Sequence, residues 1–128
     1  MNYCYKKNIN MSFEEALDEV RFCFADAGFW IVSNVDVTTK VKDKIDPNFP
    51  KYNILWVCNP ELGYKYMQEN MDLWVFMPCS VAIYEQGNQV VVSVGLPDVM
   101  ISWIVKWDKL EKLNIQVTSI LKQIIDSL

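Results

Sequence analysis

Apolar and polar positions alternate along this chain with two different periods, and the changes between them mark out the elements. Residues 3–7 form a short candidate strand. Ser12 and Glu15 then make an S-x-x-E pattern, in which each side chain satisfies the other's free backbone N–H at a helix start. Phe13, Ala16, Leu17, Val20, Cys23, Phe24 and Ala27 follow at helical spacing, with Glu14, Glu15, Asp18, Glu19 and Arg21 on the other faces. Gly28 supplies a left-handed stop. Residues 29–37 are rich in β-branched and aromatic side chains and read as a second strand packed against that helix.

Residues 38–51 are a polar connection, with Lys40, Lys42, Lys44 and Lys51 among Asp43, Asp46, Pro47 and Pro50. They are expected to hold one helical turn before an extended loop. Tyr52, Ile54, Trp56 and Cys58 share one parity and Asn53, Leu55 and Val57 the other, as in an interior strand covered on much of both faces. Asn59 caps the next helix and Pro60 fits its first turn, because the N–H it lacks would be unpaired there anyway. That helix ends near Asn70.

The long apolar stretch 73–84 is interrupted by Pro78, which cannot donate to a ladder and so predicts an edge, a bulge or a break between two strands. Gln86-Gly87-Asn88-Gln89 is a turn, answered by Val90, Val92, Val94 and Leu96 in the clearest hairpin of the chain. Pro97 and Asp98 open a short helix through Ile104. Asp108 and Glu111 repeat the capping pattern ahead of Leu110, Leu113, Val117, Ile120, Leu121, Ile124 and Leu128 on one face of a final helix.

This order predicts a single α+β domain over residues 1–128. It has two layers: a mixed, largely antiparallel sheet of about five strands, with helices packed mainly on one face. The open face of such a sheet is a place for a ligand or for a second subunit.

Composition narrows the partners. Hydrophobic residues make up 52% of the chain and aromatics 13%, enough for a core without disulfide or metal staples. A net charge of −4 gives no general attraction to nucleic acid or to anionic lipid. The longest uncharged apolar run contains Pro78 and is shorter than the roughly 20 residues a spanning helix needs, so no membrane segment is expected. Cys4, Cys23, Cys58 and Cys79 are widely scattered and no secretory leader is visible, which favours free thiols in a reducing cytoplasm. With no histidine and no C-x-x-C pair, neither a metal site nor a His-dependent triad is expected, and no cofactor motif is present. Any catalysis would rest on Cys, Glu, Asp, Lys or Tyr.

The candidate chemistry lies at Cys58-Asn59-Pro60-Glu61 and at Pro78-Cys79-Ser80. A thiol just before a helix N-terminus feels unpaired N–H groups and the positive dipole end, both of which favour thiolate. The same N–H groups suit a small-molecule or anionic ligand, with Lys40, Lys42, Lys44 or Lys51 as charge partners. Two readings compete with ligand binding. One is a cysteine-dependent redox or sulfur-transfer enzyme using Cys58 or Cys79, and the other a homodimerisation module without a ligand. The plain alternative for each thiol is a small buried hydrophobe.

Ser12-Phe13-Glu14-Glu15-Ala16-Leu17, Gly28-Phe29, Tyr52-Asn53-Ile54-Leu55, Cys58-Asn59-Pro60-Glu61-Leu62 and Pro78-Cys79 together resemble the domain of unknown function 302 family. The resemblance spans almost the whole chain, and its specific part is Cys-Asn-Pro after an apolar strand with Leu-Pro-Cys-Asn downstream. This chain carries Met77 in place of that leucine and Ser80 in place of that asparagine. The resemblance implies a small α+β fold and a site region near the two cysteines, and supplies no mechanism.

Overall fold

The computed structural model describes residues 2–76, 79–104 and 108–128, and begins with a strand, β1 (Cys4–Ile9). Ser12 Oγ accepts the Glu15 N–H at 3.1 Å and launches α1 (Phe13–Asp26). The helix ends in a complete Schellman closure. Phe29 N–H donates to Phe24 O at 2.9 Å and Gly28 N–H to Ala25 O at 3.0 Å, with Gly28 at φ +89. The Phe24 and Phe29 rings meet edge to face at 5.5 Å, which is the hydrophobic contact this motif favours. The reversal delivers the chain into β2 (Trp30–Asp36) against the helix it has just left.

The connection of residues 38–51 is more ordered than a single turn. Asp36 accepts the Thr39 hydroxyl at 2.9 Å, which holds its carboxyl below the usual range, and it caps the eight-residue α2 (Val37–Lys44). Lys42 and Lys44 fall in its last turn, where the macrodipole favours cations. Thr38 Oγ1 accepts the Tyr52 N–H at 2.6 Å and so pins α2 to the first residue of β3 (Tyr52–Cys58).

From β3 the chain enters α3 (Pro60–Glu69) and then a 3-10 helix, Met71–Phe76, rather than the strand expected from residue 73. The polar groups of Asn70 cause the difference. Its side chain accepts the Asp72 N–H at 2.8 Å and its carbonyl accepts the Leu73 N–H at 3.2 Å, so the backbone coils before apolar content can extend it. Strand structure begins only at β4 (Cys79–Gln86); Met77 and Pro78 lie outside the described residues. Gly87-Asn88 turns the chain into β5 (Gln89–Gly95), with Gly87 at φ +63 and no positive φ at Asn88, the sign pattern of a type II′ hairpin. The short helix α4 (Pro97–Ile104) and the long α5 (Asp108–Asp126) complete the chain. The expected cap at Asp108 rests on a side chain outside those described.

The sheet has five strands in the order β1-β5-β4-β3-β2, and every neighbouring pair is antiparallel. The expected mixed character is absent because β2, β3, β4 and β5 follow one another through connections that return at the same end of the sheet, while the one crossing connection, through α1, joins β1 and β2 at opposite edges where they cannot pair. Leu55 and Val57, Val81 and Ile83, and Val90, Val92 and Val94 point to one face and are all buried there. They pack with Ala16, Val20 and Phe24 of α1 and with Leu110, Val117, Leu121 and Ile125 of α5 in one core. Each such side chain contributes about 1.5–3 kcal/mol.

The buried stripe of α5 is rotated from the sequence expectation. Asn114 and Thr118 are inside, at 2% and 4% exposure, whereas Leu113 and Ile120 are only partly buried. No described helix is long and apolar enough to cross a membrane.

Gly28→Ala places a Cβ in a left-handed conformation that costs about 1–2 kcal/mol. Urea unfolding is expected to show a loss of that size with an unchanged slope.

Candidate functional site

The last residue of β3 is Cys58, and it is 3% exposed. Its sulfur lies beneath the first turn of α3. A Cβ built on Gly63 would stand 3.3 Å from Cys58 Sγ and 2.9 Å from the Trp74 ring, so glycine is what lets all three pack together. Trp74 Nε1 donates to Gly63 O at 3.2 Å and holds the indole over this contact.

The donors expected to serve an anion at this helix start are already engaged. Asn59 Oδ1 accepts both the Glu61 N–H at 3.1 Å and the Leu62 N–H at 3.2 Å; Pro60 has none to offer, and Gly63 N–H returns to Asn59 O at 2.8 Å. The lysines are also misplaced for that role. They sit on or beside α2, which is pinned to Tyr52 at the opposite end of β3, six residues and so about 20 Å from Cys58. Lys51 Nζ is 2.6 Å from Glu14. The physical basis for an anion between Asn59 and these lysines is therefore missing.

Cys58 and Cys79 do come onto neighbouring strands, with Val57 opposite Cys79. Cys79 is half-buried at the start of β4, touching both the core and the open-face side of the sheet. Burial pushes its thiol up to about 12, with nearby Cys58 adding to the effect, and burial raises Cys58 as well. Both thiols are thus held protonated at neutral pH, the opposite of an activated nucleophile. Ser80 follows, exposed on the open face. Pro78, the remaining predicted site residue, is outside the described set.

Close to these thiols is a polar knot that the sequence did not announce. The hydroxyl of Tyr66, a fully buried residue of α3, donates to Asn114 Oδ1 of α5 at 2.6 Å. Burial, with smaller contributions from Cys79 and Asp98, holds the Tyr66 proton well above the ordinary phenol range. Asp98 N–H donates to Thr118 Oγ1 at 3.1 Å and ties the start of α4 to the same helix.

A concavity of about 1030 Å³ lies on the open face of the sheet. Its floor follows from pairing register. Trp56 faces Ser80; Ile54 faces Ala82, which faces Ser93, which faces Lys6. One step toward α4, Cys4 faces Gly95. The two central strands therefore carry the small side chains Ser80, Ala82, Ser93 and Gly95, while large ones rise from β3. Tyr52 and Tyr84 stack at 5.2 Å, nearly coplanar at 9°, and close one end. Met100 and Ile101 of α4, with Val75 and Tyr66, stand at the other. Gly95 lets Met100 approach closely there, since a Cβ would fall 2.7 Å from Met100 Sδ and oblige that side chain to move.

Of the described residues among the predicted site, Cys79 and Ser80 line this groove; Cys58, Asn59, Pro60 and Glu61 do not. A second, shallower hollow lies beside Pro60 and Glu61 on the outside of α3. The pairing signal for the main groove was present: a two-residue turn with Gln86 opposite Gln89 sets Ala82 against Ser93. Among the described residues no group of three or more His, Cys, Asp or Glu side chains is placed to hold a metal.

Fold and site together define a two-layer α+β protein with one sheet face packed and the other hollowed. The profile of the family described as "Domain of unknown function DUF302" matches residues 5–128, and the chain belongs to that family. Its fold is similar to that in the crystal structure of an uncharacterized conserved DUF302 protein from Bacillus stearothermophilus. The TM-score is 0.89 at 20% sequence identity, over 97% of this chain and 96% of that one. No curated protein matches the sequence.

Two outcomes follow from the state of the thiols. Under iodoacetamide at neutral pH, the half-buried, groove-lining Cys4 is expected to be alkylated well before Cys58 and Cys79, as read by peptide mass spectrometry. Faster labelling at Cys58 would contradict its burial. The raised thiol also has a definite sign in stability. The folded chain keeps the Cys79 proton to about 12, while an unfolded thiol loses it near 8.5, so stability is full below that lower value and falls as pH rises between them. Cys79→Ala is expected to flatten this part of the pH dependence of urea unfolding.

Proposed function

We propose that this protein binds a small, largely apolar molecule in the groove on the open face of its sheet. The observation that carries the reading is the groove's construction: about 1030 Å³ over a floor of Ser80, Ala82, Ser93 and Gly95, walled by Tyr52, Ile54, Trp56 and Met100. Ligand sites are concave, mostly apolar and aromatic, with a few polar groups to set orientation, and typically measure about 300–1,000 Å³. This groove has that balance, its polar side chains among the described residues being hydroxyls and a single ammonium. Cys79 and Ser80 contribute to it as lining, with the Cys79 thiol protonated and serving as a soft apolar surface.

Support for the groove over the helix start is an accounting of hydrogen bonds. The α3 donors are satisfied internally, and binding there would have to displace the Asn59 cap, worth about 1 kcal/mol. Nothing comparable has to be broken to enter the groove.

Octanol, a neutral amphiphile, serves as the probe. Titration followed by amide NMR is expected to shift residues 54, 56, 80, 82 and 93 together, leaving α1 unmoved. Ala82→Phe fills the floor from the open face without touching the core, and is expected to weaken octanol binding at least tenfold with the far-UV spectrum preserved. Undiminished binding by that variant, or shifts confined to other surfaces, would remove the proposal.

A further inference from the structure

The groove's charge is as selective as its shape. The chain has 16 acidic residues against 12 basic ones, yet among the described residues no Asp, Glu or Arg lines the groove and Lys6 is the one formally charged side chain that does. Lys6 stands on β1 opposite Ser93, and among the described residues its ammonium has neither an ion pair nor a hydrogen bond. Its neighbour Lys7 differs. On the other face of the same strand, Lys7 Nζ donates to the carbonyls of Asp126 and Leu128 and so fastens α5. One lysine of the edge strand is therefore engaged in structure, and the other is left facing a hollow of apolar and hydroxyl groups. Two acids adjoin the lining in sequence and neither is part of it: Asp98 is attached at α4 through its N–H to Thr118, and Glu85 accepts the Lys51 N–H at 3.4 Å.

Resting on the reading of the groove as a ligand site, we propose that its ligand class is the monocarboxylate amphiphile. The carboxylate sits on the Lys6 ammonium with the Ser93 hydroxyl as a second donor. The apolar body crosses β4 over Ala82 to the Ile54 and Trp56 wall. Lys6 and Ile54 are three strand spacings apart, about 14 Å, so one amphiphile spans both ends of the row. A bound apolar body also excludes water from one side of the ion pair and strengthens it relative to a bare surface pair. A dianion or a polyphosphate has one cation to meet here and is disfavoured.

The test compares octanoate with octanol by calorimetry at low salt, on the wild-type chain, on Lys6→Gln and on Lys6→Arg. The ratio of octanoate to octanol affinity is expected to fall about five- to tenfold in Lys6→Gln, with octanol affinity unchanged, and to be kept in Lys6→Arg. The wild-type ratio is expected to shrink as salt is raised. An equal ratio in wild type and Lys6→Gln, with both ligands still shifting groove amides, overturns the carboxylate assignment and leaves the groove reading standing. Failure of both ligands to shift those amides, together with a dimer in sedimentation, overturns both and gives the face to a second copy of the chain.

Discussion

The register between β4 and β5 is the constraint on which both faces of this protein depend. The Gly87-Asn88 turn places Gln86 opposite Gln89, and every residue behind it follows in step: Ile83 against Val92, Ala82 against Ser93, Val81 against Val94. A slip of one residue would exchange the faces. Either Val81 and Ile83 of β4 or Val90, Val92 and Val94 of β5 would turn outward at about 1.5–3 kcal/mol each, and the serine or alanine of that strand would turn into the core. The same alternation that builds the core thus hollows the opposite face. The groove is the complement of the packing, formed because the central strands spend their bulk on one side.

Closure of the helix ends decides which backbone groups are already engaged. At α3 the Asn59 side chain and carbonyl take the Glu61, Leu62 and Gly63 N–H groups, and at α1 the Schellman closure takes the terminal carbonyls. A helix start with its donors spent is a structural joint. Burial then completes the case at Cys58, since a thiol sealed beneath Gly63 and Trp74 keeps its proton. What remains open to a ligand is the sheet face, where polar groups are few and the one cation has no partner among the described residues.

Interactions local in sequence were legible, and those made across the fold were not. The first helix was readable from Ser12 to Gly28 because its caps, stripe and stop all lie within one segment. The Asn59-Pro60 start was readable for the same reason. The 3-10 helix at Met71–Phe76 was missed because apolar content was weighed above the local hydrogen bonding of Asn70. The stripe of α5 was misjudged because Asn114 and Thr118 look like solvent-facing residues until Tyr66 and Asp98 arrive as partners from other elements. The lysines of the connection were placed beside Asn59 through nearness along the chain, yet a whole strand separates them.

Taken alone, the amino-acid order determined the period of each segment, the caps and turns, and hence an α+β layering with strands that alternate. These are properties of neighbouring residues, set by backbone sterics and short-range hydrogen bonds. Tertiary structure alone decided which strands became neighbours, that every pairing is antiparallel, that one buried and one half-buried thiol lie near a tyrosine, and that small side chains from two strands line up into a groove beneath Lys6. Those outcomes depend on register and on burial against distant elements, and burial is a property of the assembled core that no single segment carries.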